Sequence, residues 1–338
     1  MVRILRSRWF VAAAVLGVAI LVVVGISAVQ AETSPSLPSV PTSQLIASTL
    51  SAIADRAPVS GTVATHVDLG LPQIPSNLGS SAGPAGVLLG DQTFKVWSSP
   101  DGVRIAQILP FGERDLVASP AGAWYWDSSR FTAWHVAVPA GKTPTQPPSL
   151  GDFETVVGRA LQAIAPYATV AQGNPTVVAG RDAYLVTLTP ESRDTLVGHV
   201  DLAIDAQTRM PLRFEVFAKG HTEPSVEAGF TSVSFGQVDK SIFEFTPPSG
   251  ATVKQAQLPG AHKGGESAGA VPEVRTFGTG FGMIVAVRLP EVPKDLRLLF
   301  PYSGPLGSAA LVVRSDHVWL VAGAVPADAL AGVETKLP

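Results

Sequence analysis

Along the central third of the chain, apolar and polar residues alternate with a period of two. Val59, Gly61, Val63, Thr65, Val67 and Leu69 would share one side of a strand over 59–71. Residues 92–109 read as two short strands about the turn Ser99-Pro100-Asp101-Gly102. Residues 114–138 read as three more, turned at Ser119-Pro120-Ala121-Gly122 and at Asp127-Ser128-Ser129. Further strand patterns cover 183–190, 198–205, 211–219, 228–238 and 242–248. In 198–205, Val200, Leu202 and Ile204 face one way while His199, Asp201 and Asp205 face the other. Such alternation belongs to antiparallel sheets with one covered face.

Two stretches switch to a spacing of three and four. In 43–56 it joins Leu45, Ile46, Thr49, Leu50 and Ile53, with Thr42 or Ser43 as the N-cap. In 152–168 it joins Phe153, Val156, Val157, Ala160, Leu161 and Ile164, begun at Gly151 or Asp152 and stopped near Pro166. Many strands interrupted by two amphipathic helices predict an α+β fold, one large curved sheet with helices laid on it.

Beyond a Gly-rich hydrophilic linker at 254–270, a smaller α+β unit occupies 271–338. There 274–290 reads as one strand punctuated by glycine, and 293–302 as a short helix opened by Pro293. A hairpin follows, turned at Ser315-Asp316, and then a last short helix over 326–334.

The N-terminus changes the picture most. Arg3, Arg6 and Arg8 precede an uncharged, largely apolar run from Trp9 to Val29. As a helix, those residues reach about 32 Å, enough for a bilayer core of about 30 Å. Charge before the run puts the rest of the chain outside the cytoplasm. Residues 1–31 are therefore a membrane anchor through 9–29, or a signal peptide cut after Val29-Gln30-Ala31 that would leave a secreted protein. Residues 32–42 are a Ser/Pro linker.

Composition removes several classes. Charged residues are 15%, the net charge is −3 and the pI is about 6.1, unlike a nucleic-acid binder. With no cysteine there is no disulfide, thiolate metal site or cysteine nucleophile. Gly265-Glu266-Ser267-Ala268-Gly269 fits the nucleophile-elbow spacing, but no apolar strand precedes it. Gly278-Thr279-Gly280-Phe281-Gly282 is not a dinucleotide fingerprint; strand bulges explain its glycines better. The six histidines are scattered, and His199 with Asp201 gives only two of the three or four ligands that zinc needs. No catalytic constellation, metal site or cofactor site is expected.

Residues 123–135, AWYWDSSRFTAWH, hold three of the six tryptophans. With a two-residue turn at Ser128-Ser129, Trp126 pairs with Phe131, Trp124 pairs with Ala133, and Tyr125 shares the other face with Trp134. With a loop one residue longer, Trp124, Trp126 and Trp134 share a face opposite Tyr125, Phe131 and His135. Either register puts large aromatics on both faces. Both faces are then packed by protein, or one lines a cavity for an apolar ligand.

Three stretches carry a family resemblance. They are Asp205-Ala206-Gln207-Thr208-Arg209-Met210-Pro211-Leu212-Arg213-Phe214, the run 230–239 with 241–250 (SIFEFTPPSG), and the hairpin GAWYWDSS. Over about 43–253 the chain resembles the LolA-like lipoprotein-carrier family and the N-terminal domain of RseB/MucB-type regulators. The resemblance implies a strongly curved antiparallel half-barrel with covering helices, whose hollow holds acyl chains. It implies an acylated lipid or lipoprotein as ligand and no enzymatic activity. The candidate lining is Trp97, Trp124, Trp126, Trp134, Leu202, Ile204, Phe214 and Val216. An uncleaved 9–29 helix would forbid a soluble shuttle. It would favour an anchored lipid binder, or a regulator that binds a membrane partner such as an anti-sigma factor.

Overall fold

The computed structural model describes residues 35–55, 57–70, 90–137, 165–255, 273–289, 292, 297 and 299–338. The expected anchor or signal, the helix over 152–164, the Gly-Glu-Ser-Ala-Gly motif and most of the helix opened by Pro293 lie outside these residues. Among the described residues no helix is long and apolar enough to cross a membrane.

Turn chemistry organises the first strands. β1 (Val59–Val67), β2 (Gly90–Ser99), β3 (Gly102–Leu109), β4 (Gly112–Ser119) and β5 (Gly122–Asp127) run in sequence. The last three turns among them share one design, x-Pro-x-Gly, at Ser99–Gly102, Leu109–Gly112 and Ser119–Gly122. Proline presets φ at the second position, and glycine closes the turn. In two of the three the leading serine hydroxyl accepts from the backbone N–H two residues on, at 3.1 Å from Asp101 and 3.3 Å from Ala121. The chain continues through β6 (Thr132–Ala137), β7 (Ala168–Gln172), β8 (Thr176–Val178), β9 (Arg181–Pro190), β10 (Val197–Asp205), β11 (Pro211–Ala218), β12 (Pro224–Phe235) and β13 (Thr252–Gln255).

These strands form one thirteen-stranded sheet in the order β13-β6-β5-β4-β3-β2-β1-β12-β11-β10-β9-β7, with β8 also on β9. Every pairing is antiparallel except β13 on β6. The two ends of the path do not pair, so the sheet is open. A twisted sheet of this width curls rather than staying flat.

The β7–β12 half is sealed on one side. Helix α1 (Thr42–Ala54) buries Leu45, Thr49 and Ile53. Leu45 joins a cluster with Tyr184, Val186, Leu188, Val200, Leu202 and Ile204. Leu37 and Val40 extend that cover, and the Tyr184 hydroxyl donates to Pro38 O at 3.0 Å. The N-cap differs from the expectation. Pro41 occupies it with no side-chain cap, and its carbonyl accepts from Gln44 N and Leu45 N.

Other segments depart from the periodicity reading. Residues 242–248 are not a strand. A 3-10 turn over Lys240–Phe243, capped by Asp239 through Ser241 N, drives Phe243 into the core, and an extended tail follows. Residues 165–167 form a 3-10 turn into β7 rather than the end of a helix. Short β8 and β13 carry too few residues for alternation to register.

A second sheet of five strands has the order β14-β15-β18-β17-β16. Its members are β14 (Val274–Phe277), β15 (Ile284–Leu289), β16 (Tyr302–Ser303), β17 (Ser308–Val313) and β18 (Val318–Gly323), followed by helix α2 (Ala327–Glu334). The single strand expected over 274–290 is instead a hairpin. Glycines 278 and 280 take positive φ, and a 3-10 turn at Gly280–Gly282 reverses the chain. Trp319, fully buried among Ile284, Val321, Leu330 and Val333, centres the core between this sheet and α2. Leu306, Phe281 and Ala324 join the α1 cluster, and Ala324 O accepts from Leu196 N and the Thr195 hydroxyl, each at 2.8 Å. The second sheet is thus docked on the first through both apolar and backbone contacts.

Candidate functional site

The hairpin 123–135 settles in a register between neither of the two expected loop lengths. Asp127 pairs with Thr132, Trp126 with Ala133, Tyr125 with Trp134 and Trp124 with His135. The loop is therefore Ser128–Phe131, two residues longer than the tightest turn. That even difference preserves the first grouping, with Tyr125 and Trp134 sharing a face. Asp127 explains the length. Its buried carboxylate accepts from Ser129 N at 3.0 Å and Arg130 N at 3.3 Å, winding the loop into a 3-10 turn that ends on Phe131 at φ 45°.

Register carries the side assignment across the sheet. Val200, Val216, Val226 and Val67 are successive cross-strand partners on the α1 side. Two-residue alternation along β1 then puts Gly61 on that side, and Gly61 pairs with Val96. From Val96 a row runs through Ile105, Leu116, Tyr125 and Trp134. These five side chains are half-buried, in contrast with Leu202 at 7% and Ile204 at 0% exposure on the same side. Tyr125 and Trp134 have ring centroids 5.4 Å apart. Burial raises the Tyr125 hydroxyl's pKa, partly offset by Arg114. At the row's edge the Lys254 ammonium stands over the Trp134 ring at 5.6 Å.

The opposite side of the same strands is closed. The segment after β12 folds back so that Phe243 lies against Gly102. Phe245 meets Trp124 and Trp126 at centroid distances of 5.5 and 6.2 Å. Trp124 stacks on His135 at 4.1 Å, and Trp126 is 4% exposed. Buried Asp115 pairs there with Arg104, whose guanidinium also stands 5.8 Å from the Trp97 ring.

The eight candidate lining residues thus fall into three groups. Trp97, Trp124 and Trp126 are on the closed side and do not face the α1 side at all. Leu202, Ile204, Phe214 and Val216 are on the α1 side but pack in the cluster under Leu45. Trp134 alone belongs to the half-buried row. Val96, Ile105, Leu116 and Tyr125, which share that row with Trp134, were not among the candidates. Alternation had already put Val96 opposite Trp97 and Tyr125 opposite Trp124, but nothing local said which side would be closed.

On the side of the other half away from α1 lies a polar cross-strand row: Thr187, Asp201, Glu215, Glu227, His66 and Asp91. The Thr187 hydroxyl donates to Asp201 at 2.6 Å, and His66 Nδ1 is 2.7 Å from Asp91. Burial raises the pKa of Glu215, and burial with Glu215 opposite pushes Glu227 up to about 7. His199 stacks on Phe217 at 4.2 Å. Among the described residues no group of three His, Asp or Glu is placed to hold a metal ion.

No family profile and no curated protein sequence matches the chain. Solved structures do. MucB in complex with MucA(peri) has a TM-score of 0.51 at 14% identity, covering 87% of this chain and 97% of that one. The chain has the MucB fold. The Pseudomonas aeruginosa MucA/MucB complex aligns with 12% identity, 86% and 96% coverage and a TM-score of 0.49. A LolA superfamily protein from Nitrosomonas europaea aligns with 10% identity over 61% of this chain and 99% of its own, with a TM-score of 0.24. The match to MucB takes in both sheets, and at this identity it speaks for the fold alone.

Proposed function

We propose that this chain is an extracytoplasmic binding protein that holds an acyl chain of a lipid or lipoprotein. The ligand lies along Val96, Ile105, Leu116, Tyr125 and Trp134. One observation carries the reading. The α1 side of a single open sheet is sealed over β7–β12 by the protein's own side chains, and over β2–β6 it presents an unbroken apolar row that stays half-exposed. Each methylene moved from water onto such a surface contributes about 0.8 kcal/mol. The apolar run 9–29 would keep the protein at the membrane where such ligands reside.

Organic extraction of the purified full chain, followed by mass spectrometry, is expected to release co-purifying lipid. The delipidated protein should take up a fluorescent fatty acid, and Leu116→Glu should abolish uptake without unfolding the sheet. A delipidated, folded protein that takes up no acylated probe would remove the proposal.

A second reading is a regulator that binds a membrane protein partner such as an anti-sigma factor. It is favoured by the extent of the fold likeness, which reaches through the docked second sheet and covers nearly the whole of MucB. Capture of one stoichiometric membrane partner, lost on deleting 271–338, would promote it over the first.

A further inference from the structure

A pocket of about 280 Å³ opens where the two sheets meet. Tyr167, Glu191, Ser192 and Asp194 line it from the first sheet, and Thr279 and Phe281 line it from the glycine turn of the second. The turn is shaped for this position. At Gly280, φ is 55°, and a Cβ there would stand 2.6 Å from Tyr167 atoms, so only glycine brings the turn this close. The hollow thus has two aromatic walls and two carboxylates at its mouth. Among the described residues neither Glu191 nor Asp194 has an ion-pair or side-chain hydrogen-bond partner.

The fold itself shows what completes such a set. Arg181 chelates Asp205 with contacts of 2.8–3.1 Å while its guanidinium stands 4.9 Å from the Phe235 ring. Arg104 joins Asp115 and the Trp97 ring in the same way. Arg275 joins Glu273 at 2.7 Å and the Trp319 ring at 5.4 Å. Three times a carboxylate and an aromatic ring are bridged by a guanidinium, the planar cation that stacks and forks at once. At the junction pocket the carboxylates and rings are present, and no guanidinium of the described residues bridges them.

The geometry points to an arginine-recognition pocket. An arginine side chain of a partner polypeptide enters between Tyr167 and Phe281 and pairs with Glu191 and Asp194. This site is separate from the apolar row, and its occupation does not depend on an acyl ligand. It gives the second sheet a recognition role beyond packing, because Phe281 and the glycine turn supply one wall.

The test uses the full chain and three blocked tripeptides, Gly-Arg-Gly, Gly-Lys-Gly and Gly-citrulline-Gly, titrated while backbone amide shifts are followed by NMR. The arginine peptide is expected to move the amides of 191–194 and 278–282. The uncharged citrulline peptide should bind at least about tenfold more weakly. The double variant Glu191→Gln/Asp194→Asn alters exposed side chains only, and its spectrum elsewhere should match the parent. It should lose the arginine response. Equal binding of the citrulline or lysine peptide, an undiminished response in the double variant, or no response to the arginine peptide would each overturn the assignment. None of these results bears on acyl-probe uptake, so the two proposals stand or fall separately.

Discussion

Tyr125 and Trp134 are direct cross-strand partners, and they lie on the opposite side of the sheet from Trp124 and Trp126. That relationship splits one aromatic hairpin into a half-exposed side, which the proposal assigns to the ligand, and a side packed under Phe245. Substitutions should separate accordingly. Trp134→Ala is expected to weaken fatty-acid probe binding by about tenfold, the contribution of one large aromatic contact, with a small change in stability. Trp126→Ala should cost about 3–5 kcal/mol in urea unfolding through the cavity it leaves under Phe245. If the two variants exchange these phenotypes, the side assignment is wrong.

Asp127 sets the length of the hairpin loop, and its loss should be felt there. The carboxylate caps the 3-10 turn and sits between Arg114 and Arg130, at 3.5 and 3.7 Å. Asp127→Ala removes the cap and leaves the Arg114 charge without its partner in a half-buried position. A destabilisation of about 2–3 kcal/mol is expected, with Asp127→Asn recovering part of it through the retained acceptor. Unfolding midpoints of the two variants against the parent decide this.

Much of the first sheet was legible because its signals are local. The x-Pro-x-Gly turns at 99–102 and 119–122 and the alternation in β1 and β10 fix strand ends and relative faces. What closes a face is not local. Phe243 and Phe245 return over Gly102 and Trp124 from more than a hundred residues away, and periodicity cannot foresee that. The segment 242–248 failed for a related reason. Its Phe243 and Phe245, two apart, mimic a strand, yet Asp239 caps a 3-10 turn that commits Phe243 to the core. The glycine turn at 278–282 was read as bulges because Tyr167, which makes Gly280 necessary, is over a hundred positions earlier. The register of 123–135 depended on one buried carboxylate holding a longer loop.

The ion pair between Arg181 and Asp205 should be a major determinant of the packed half. Asp205 is fully buried at the end of β10, and Arg181 opens β9. Asp205→Ala would strand a half-buried guanidinium against Phe235, with an expected loss of about 3–5 kcal/mol. Replacing both partners, as in Arg181→Met/Asp205→Leu, should cost less than the single change. A double variant as unstable as Asp205→Ala would mean that the chelate holds the start of β9 to the end of β10 by more than neutralising charge.

Stability should fall as pH rises through the polar row on the side of β9–β12 away from α1. Glu227 is half-buried opposite Glu215, with Glu223 also near and Arg213 and His66 only partly compensating. Its pKa is pushed from 4.5 up to about 7 in the folded chain. Below about 4.5 the group is protonated whether folded or unfolded, and it makes no pH-dependent difference. Between about 4.5 and 7 the unfolded chain has lost the proton while the folded chain keeps it. Unfolding then releases a proton, and stability declines with increasing pH. Above about 7 the carboxylate is ionised in both states and the decline levels off. Glu215, also raised by burial, adds in the same direction. Because Glu227 remains about half exposed to solvent, its share of the loss should be about 1 kcal/mol or less. Glu227→Gln keeps the shape and removes the titration, so its urea midpoint should change less between pH 5 and pH 8 than that of the parent. An identical pH slope in the variant would show that Glu227 titrates as an ordinary surface carboxylate.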